Sequence, residues 1–153
     1  MKDYIRVCDV EKYYGNGRNV TKAVDRVSFQ VGKGEFVGVM GASGSGKTTL
    51  LNMLSTIDRV TAGHIYYQDT DITELNEEEL SKFRKNHLGF VFQDYNLLDT
   101  LTLEENILLA MTLHKGSRKE IQEKCNQMME LLGIDGIKTV SYTHLRAHET
   151  TLH

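Results

Sequence analysis

The stretch that decides the fold is Gly41 to Thr49, which reads GASGSGKTT and follows the apolar run Glu35–Met40 (EFVGVM). It has the spacing G-x-x-x-x-G-K-S/T of a phosphate-binding loop. The glycines at Gly41 and Gly46 let main-chain N–H groups approach an anion, because no Cβ atom blocks the way. An apolar strand before the loop and an amphipathic helix after it are the context that the motif requires. This context favours a phosphate loop over a glycine-serine turn that happens to contain a lysine.

Each part of this loop has a predicted chemical role. The Lys47 ammonium group is placed to contact the β- and γ-phosphate oxygens of a nucleotide, and the Thr48 hydroxyl is a ligand for Mg²⁺. The helix that begins near Lys47 directs the positive end of its dipole at the same phosphates. We therefore predict that the chain binds a nucleoside triphosphate through the whole loop, which comprises Gly41, Ala42, Ser43, Gly44, Ser45, Gly46, Lys47, Thr48 and Thr49.

Length and composition narrow the class of protein. The chain has 153 residues, of which 40% are hydrophobic and 25% are charged, and this suits one globular domain with its own core. The net charge is -3 with both signs interleaved, so we expect no nucleic-acid partner. Cys8 and Cys125 form no C-x-x-C pair, which indicates free thiols in a reducing compartment. The longest apolar run, Ile107–Met111, is far shorter than the roughly 20 residues of a membrane-spanning helix.

Local patterns predict a mixture of strands and helices. Five runs have the composition of strands, namely Tyr4–Tyr14, Val24–Val31, Glu35–Met40, Gly63–Gln68 and Leu88–Phe92. The third and fifth are apolar enough to be buried on both faces of a sheet. One helix is predicted after the phosphate loop. Three more are predicted to begin at capping-box pairs, namely Asn76 with Glu79, Thr102 with Glu105, and Ser117 with Glu120. The last of these helices is expected to pack through Ile121, Cys125, Met128 and Leu132.

The last fourteen residues differ from the rest of the chain. The string VSYTHLRAHET, at Val140–Thr150, places His144 and His148 at helical i, i+4 spacing, which is one way to hold a metal ion. The zincin pattern H-E-x-x-H, however, requires a histidine at the position of Leu152. One back-translation of the same string is the constant adapter of transposase-made sequencing libraries. We therefore interpret residues 140–153 as a non-native tail and expect the natural chain to continue past Thr139.

Gln93 is a further candidate for the site. It directly follows the predicted strand Leu88–Phe92, so it would stand at the carboxyl end of that strand. A glutamine in such a position beside the phosphate loop can ligate Mg²⁺ and sense the γ-phosphate through a water molecule. An exposed glutamine without a role is the alternative, and the residues alone leave both open.

Three segments together resemble the nucleotide-binding subunit of ABC transporters, namely Lys12-Tyr13-Tyr14, GASGSGKTTLLN and FQDYNLLDTLTLEEN. The resemblance covers residues 4–135. Within the family it is most specific for the ATPases of bacitracin-type antimicrobial-peptide resistance transporters, through the runs LNMLSTIDRVTAGHIYY and LGFVFQDYNLLDTLTLEENILL. It implies an α/β P-loop NTPase fold, in which an antiparallel N-terminal β-subdomain flanks a parallel core sheet that is truncated here.

The resemblance also implies roles for individual residues. Tyr14 matches the A-loop aromatic residue that stacks on adenine, and Tyr13 is the less suitable neighbour; plain strand packing is the alternative for both. Gln93 matches the Q-loop glutamine. The implied ligands are ATP and Mg²⁺, with Lys47 and Gln93 as catalytic residues and Thr48 and Gln93 as metal ligands.

The implied partners are an integral-membrane permease, which would contact Phe92–Leu113, and a second nucleotide-binding subunit in a homodimer. This places the parent ATPase in the cytoplasm, on the inner face of the cell membrane, where ATP hydrolysis drives antimicrobial-peptide export or resistance. Lipoprotein release, macrolide export and a DNA-maintenance ATPase head are alternatives. The LSGGQ signature, the Walker B strand and the switch histidine of the family do not occur in the sequence. We therefore expect residues 1–139 to be the N-terminal part of the nucleotide-binding domain, which binds ATP without turnover.

Overall fold

The computed structural model describes residues 3–17, 19–92, 96–112 and 116–141. They belong to two compact units, Met1–Phe90 and Val91–His153. The first unit contains strands β1 (Asp3–Tyr14), β2 (Thr21–Gly32), β3 (Ala62–Tyr67) and β4 (Thr70–Asp71), with helices α1 (Lys47–Leu54) and α2 (Glu77–His87). The second contains α3 (Leu103–Thr112), α4 (Arg118–Leu132) and a 3-10 turn at Asp135–Ile137.

The sheet of the first unit is antiparallel, with the strand order β2-β1-β3-β4. Alternate residues of its strands face a core to which α1 and α2 also contribute. The buried members of this core are Val7, Val10, Val24, Leu50, Met53, Ile65, Ile72 and Phe83. The predicted N-terminal β-subdomain is therefore confirmed, including the three strands that the composition predicted in it. The short strand β4 was not predicted, since two residues carry no periodic signal.

The two predicted core strands are not formed. Neither Glu35–Met40 nor Leu88–Phe92 has strand structure, and the described residues contain no parallel sheet. The side chains of Phe36 and Val91 are 100% and 96% exposed. A strand that is apolar on both faces requires neighbouring strands at its edges and covering layers above and below. In the described part of the chain all strand pairing is antiparallel, and it joins β1 with β2, β1 with β3, and β3 with β4. The two apolar runs therefore have no parallel partner there.

All three predicted capping boxes are present at the helix starts. The Asn76 side chain accepts from the N–H of Glu79 at 3.0 Å, and the Glu79 carboxylate accepts from the N–H of Asn76 at 2.9 Å. The pairs at Thr102 and Ser117 repeat this reciprocal arrangement. These helices begin where predicted because a capping box is a local interaction that tertiary packing does not need to supply.

The second unit is a pair of helices. Gln122 of α4 donates a hydrogen bond from Nε2 to the Glu104 carboxylate of α3 at 2.6 Å. The buried face of α4 consists of Cys125 and Met129. The prediction was therefore wrong for Met128 and Leu132, whose exposed fractions are 47% and 63%.

The end of the described chain lies against the start of α3. The N–H of Leu103 donates to the Val140 carbonyl at 3.0 Å, and Thr102 forms an isolated β-bridge with Ser141. The residues of the predicted tail beyond Ser141, including His144 and His148, lie outside the described residues. No helix within the described ranges is long and apolar enough to span a membrane.

Candidate functional site

The phosphate loop takes a backbone conformation that depends on glycine at two positions. Gly44 and Gly46 have φ angles of +77° and +86°, in the left-handed region that other residues rarely adopt. The N–H of Ser45 donates to the Ala42 carbonyl at 3.2 Å and closes a turn between them. At Gly46 a Cβ atom would lie only 2.2 Å from the Ala23 carbonyl oxygen of β2. The loop therefore needs Gly46 both for its backbone angle and for the close approach of β2.

The loop leads directly into α1, and the N-terminus of this helix differs from the others. Gly46 is its N-cap residue, and no side chain makes a cap hydrogen bond there. The first helical bond runs from the N–H of Leu50 to the Gly46 carbonyl at 2.8 Å. The preceding N–H groups, of Lys47 to Thr49, have no acceptor within the helix. Such a set of amides is suited to an anion, and in α2, α3 and α4 a capping box meets this need instead.

Lys47 folds back along the loop. Its Nζ donates hydrogen bonds to the carbonyl oxygens of Gly41 at 2.8 Å and Ala42 at 2.7 Å. These bonds hold the ammonium group beside the first turn of the loop. An open cleft of about 490 Å³ adjoins it, lined by the loop, by Val39 and Met40 before it, and by Lys22–Val24 of β2. The arrangement brings the Lys47 ammonium group and an uncapped helix start to the same exposed cleft.

The loop residues are accessible to a ligand. Residues 41–45 and Thr48 are exposed, whereas Gly46, Lys47 and Thr49 are half-buried. The hydroxyl of Thr48, in the first turn of α1, is a hard oxygen donor of the type that Mg²⁺ prefers. Gln93, the other predicted metal ligand, lies outside the described residues, so its position relative to Thr48 stays a prediction.

The two neighbouring tyrosines at the end of β1 have different surroundings. Tyr14 is 43% exposed, and its hydroxyl donates to the Asp58 carboxylate at 2.6 Å. The Lys12 ammonium group lies 4.9 Å from the centre of the Tyr14 ring. Tyr13 instead donates to Glu11 and lies under the ammonium group of Lys22 at 5.3 Å. The predicted A-loop residue Tyr14 is therefore partly exposed, as stacking on a base requires.

Asp58 is a residue of this site that sequence reasoning missed. It accepts a hydrogen bond from Lys12 Nζ at 2.6 Å as well as the one from Tyr14. Partial burial by itself raises the pKa of Asp58, but the bonds from Lys12, Tyr14 and the Arg59 N–H outweigh it and hold that pKa below its ordinary value of 3.8. The bond to Asp58, followed by partial burial, raises the pKa of the Tyr14 hydroxyl. Asp58 lies 44 residues from Tyr14 in sequence, so no local pattern could have linked the two.

A second cluster of polar side chains lies on β3 and β4, away from the phosphate loop. His64, Asp71 and Glu74 hold one potential metal-ligand atom each within 4.8 Å of the others. His64 Nδ1 and Asp71 are already hydrogen-bonded at 2.8 Å, and the other carboxylate oxygen of Asp71 accepts from the Thr73 hydroxyl at 2.6 Å. Hydrogen bonds among His64, Asp71 and Thr73 therefore account for two of the three members of this cluster.

Comparisons with known proteins assign the family. The family model described as "ABC transporter" matches residues 24–152. The bacitracin export ATP-binding protein BceA of Halalkalibacterium halodurans is 50% identical over 134 residues, which cover 88% of this chain and 53% of that protein. The lipoprotein-releasing system ATP-binding protein LolD of Cytophaga hutchinsonii is 38% identical over 135 residues, which cover 88% of this chain and 60% of that protein. The chain thus spans little more than half the length of these curated relatives.

A solved structure has the same fold. It is the dimeric structure of a post-hydrolysis state of the ATP-binding cassette MJ0796 bound to ADP and Pi, with a TM-score of 0.83 and 30% sequence identity. The match covers 91% of this chain and 62% of that one. With the uncapped phosphate loop at the start of α1 and the antiparallel sheet beside it, the chain belongs to the ABC transporter family of ATP-binding domains.

Proposed function

We propose that this chain binds Mg-ATP at the cleft beside the phosphate loop and that its parent protein hydrolyses ATP to drive a membrane permease. The observation that carries the proposal is the start of α1, where amides without a side-chain cap and the Lys47 ammonium group lie beside the same exposed loop. Both features favour a multiply charged anion, and a triphosphate is the ligand that supplies enough negative charge and length for the loop.

Each loop residue has a defined task in this proposal. The amides of the first turn of α1 hold phosphate oxygens, and Lys47 exchanges its carbonyl partners for the β- and γ-phosphates. Thr48 holds Mg²⁺ together with Gln93, and the ion neutralises the charge that these phosphates share. The ring of Tyr14 stacks on adenine. Phosphoryl transfer further requires an aligned water molecule, and we propose that a second nucleotide-binding subunit and the remainder of the parent domain supply that alignment.

Replacement of Lys47 by alanine tests the phosphate site. The change removes the cation and leaves the amides in place, so the affinity for Mg-ATP should fall about tenfold or more, as a charge-assisted contact is worth roughly 1.5–3 kcal/mol. Titration calorimetry on the 153-residue chain measures this directly. Lys33→Ala removes an exposed lysine from the nearby turn after β2 and is the matched control.

Two results would contradict the proposal. Equal Mg-ATP affinity in the Lys47→Ala and Lys33→Ala chains would show that the loop does not hold the phosphates. Sustained phosphate release by the unmodified chain, abolished by Lys47→Ala, would contradict our expectation that residues 1–139 bind ATP without turnover.

For the parent protein we propose a role in antimicrobial-peptide export or resistance. The support is that BceA is named for bacitracin export and has 50% sequence identity over 88% of this chain. Lipoprotein release is the second candidate and is favoured by the similarity to LolD. Either function places the ATPase in the cytoplasm, attached to its permease at the inner face of the membrane. Reconstitution of the parent ATPase with each class of permease would separate them, since only the matching permease should stimulate ATP hydrolysis.

We further propose that residues 140–153 are not part of the natural protein. The support is the adapter-like coding of Val140–Thr150. Sequencing of the gene from an unfragmented template tests this: a natural reading frame that encodes the same residues after Thr139 would overturn it.

A further inference from the structure

Asp58 joins β1 and α1 of the first unit. Its carboxylate accepts from the Tyr14 hydroxyl at the end of β1 and from Lys12 on the same strand, both at 2.6 Å. Its own N–H donates to the Asn52 carbonyl of α1 at 3.1 Å. The carboxylate is therefore fixed to the C-terminal end of the helix that begins at the phosphate loop.

Lys12 completes this connection and determines which face of the Tyr14 ring is covered. Besides its ion pair with Asp58, Lys12 Nζ donates to the Arg59 carbonyl at 2.7 Å, so it is held by the same turn. From there the ammonium group lies over one face of the Tyr14 ring, 4.9 Å from its centre. Tyr14 as a whole residue is nevertheless 43% exposed. A base that stacks on the ring would take the face opposite Lys12, because the ammonium group covers the other face.

We propose that Asp58 is a positioning residue for the nucleotide base, which with Lys12 holds the Tyr14 ring at a set distance from the phosphate loop. The inference rests on the proposed function, since it concerns the base of the same nucleotide. It predicts that loss of the Asp58–Tyr14 bond weakens the binding of ATP and leaves the binding of the triphosphate group alone unchanged.

The experiment compares two ligands, Mg-ATP and Mg-tripolyphosphate, on the full 153-residue chain. Tyr14→Phe keeps the ring and removes the hydroxyl, whereas Asp58→Asn keeps the shape and removes the charge. Tyr13→Phe is the matched control, because it removes the neighbouring hydroxyl, which also donates to a carboxylate. Competition with a fluorescent ATP analogue gives the affinities, and thermal melting of each variant shows whether it is folded.

Base stacking on an aromatic side chain is worth roughly 1–3 kcal/mol, which corresponds to about fivefold or more in affinity. We expect Tyr14→Phe and Asp58→Asn each to lower the affinity for Mg-ATP by about fivefold. The affinity for tripolyphosphate should stay within about twofold of that of the unmodified chain. The double variant should lose no more than Tyr14→Phe alone, because that change already removes the bond that Asp58→Asn only weakens. Tyr13→Phe should match the unmodified chain for both ligands.

Several results would overturn the inference. Unchanged ATP affinity in folded Tyr14→Phe and Asp58→Asn chains would show that the bond does not position the base. Equal losses for both ligands would assign Asp58 a structural role only. If the unmodified chain binds ATP and tripolyphosphate equally, and Lys47→Ala weakens both, the phosphate site stands and the base site falls. If it binds neither, the proposed function itself is wrong.

Discussion

At the scale of single residues, Gly46 is the most constrained position of the loop. Its φ angle of +86° and the 2.2 Å that would separate an added Cβ atom from the Ala23 oxygen are independent obstacles to any side chain. The backbone term alone costs about 1–2 kcal/mol for a residue other than glycine. The clash adds to this, because the atom in the way is backbone and cannot rotate aside. The glycine that the motif requires for phosphate binding is therefore also required for the packing of α1 on β2.

We predict that Gly46→Ala lowers the free energy of unfolding by more than the backbone term of about 1–2 kcal/mol and also weakens Mg-ATP binding. Gly17→Ala is the control, because Gly17 has a φ of +61° but nothing within 4 Å of its added Cβ. Chemical denaturation of both variants gives the comparison. Equal destabilisation would mean that the approach of Ala23 imposes no cost of its own.

At the scale of elements, the helices of this chain are specified locally. α2 begins at a capping box. It carries Glu77, Glu78 and Glu79 in its first turn and Arg84, Lys85 and His87 in its last. Each end of the helix dipole therefore lies beside side chains of opposite charge, which stabilises the helix. Every one of these features can be identified in Asn76 and the eleven residues of the helix that follows it. This explains why the helix starts could be predicted from the sequence alone.

The cap of α2 gives a direct test. Asn76→Ala should lower the free energy of unfolding by about 1 kcal/mol, within the range of roughly 0.5–2 known for N-cap residues. Asn86→Ala, at an exposed position in the last turn of the same helix, is the control and should change stability by no more than a few tenths of a kcal/mol. A loss at Asn86 as large as that at Asn76 would contradict the assignment of the cap.

Strands and packing faces were predicted less well, for a physical reason. Glu35–Met40 has a strand composition, yet a strand forms only where partner strands lie beside it, and those are distant in sequence. The face of α4 was wrong for a related reason: a helix with apolar residues at 121, 125, 128, 129 and 132 can bury several stripes, and the position of α3 selects Cys125 and Met129. The Asp58–Tyr14 bond was missed because its two ends belong to different elements.

At the scale of the whole molecule, apolar surface remains uncovered before the phosphate loop. Phe36 and Met40 are 100% and 93% exposed, and Val37 and Val39 between them are 51% and 39% exposed. The match to this chain covers only 53% of the relative BceA. Leu50, Leu54 and Leu88, by contrast, belong to or pack against the core, whereas Val91 is 96% exposed.

We predict that the chain self-associates through this apolar run, because exposed segments of this composition pair readily with one another. Sedimentation velocity over a range of concentrations should show growing oligomers, and Phe36→Asp should reduce them. Val20→Asp introduces the same charge at another exposed apolar site and should have a smaller effect. A monomeric chain at every concentration would refute the prediction.

The lack of a side-chain cap at the start of α1 has a consequence for how the protein survives in the cell. An anion that binds these amides in the folded chain also shifts the folding equilibrium, because the unfolded chain has no such site. By mass action, a ligand at about 100 times its dissociation constant adds about 2.7 kcal/mol to the stability of the state that binds it. That amount is a large share of the roughly 5–15 kcal/mol that keeps a typical domain folded. With the proposed nucleotide as that ligand, the energy charge of the cell would contribute to the lifetime of the protein.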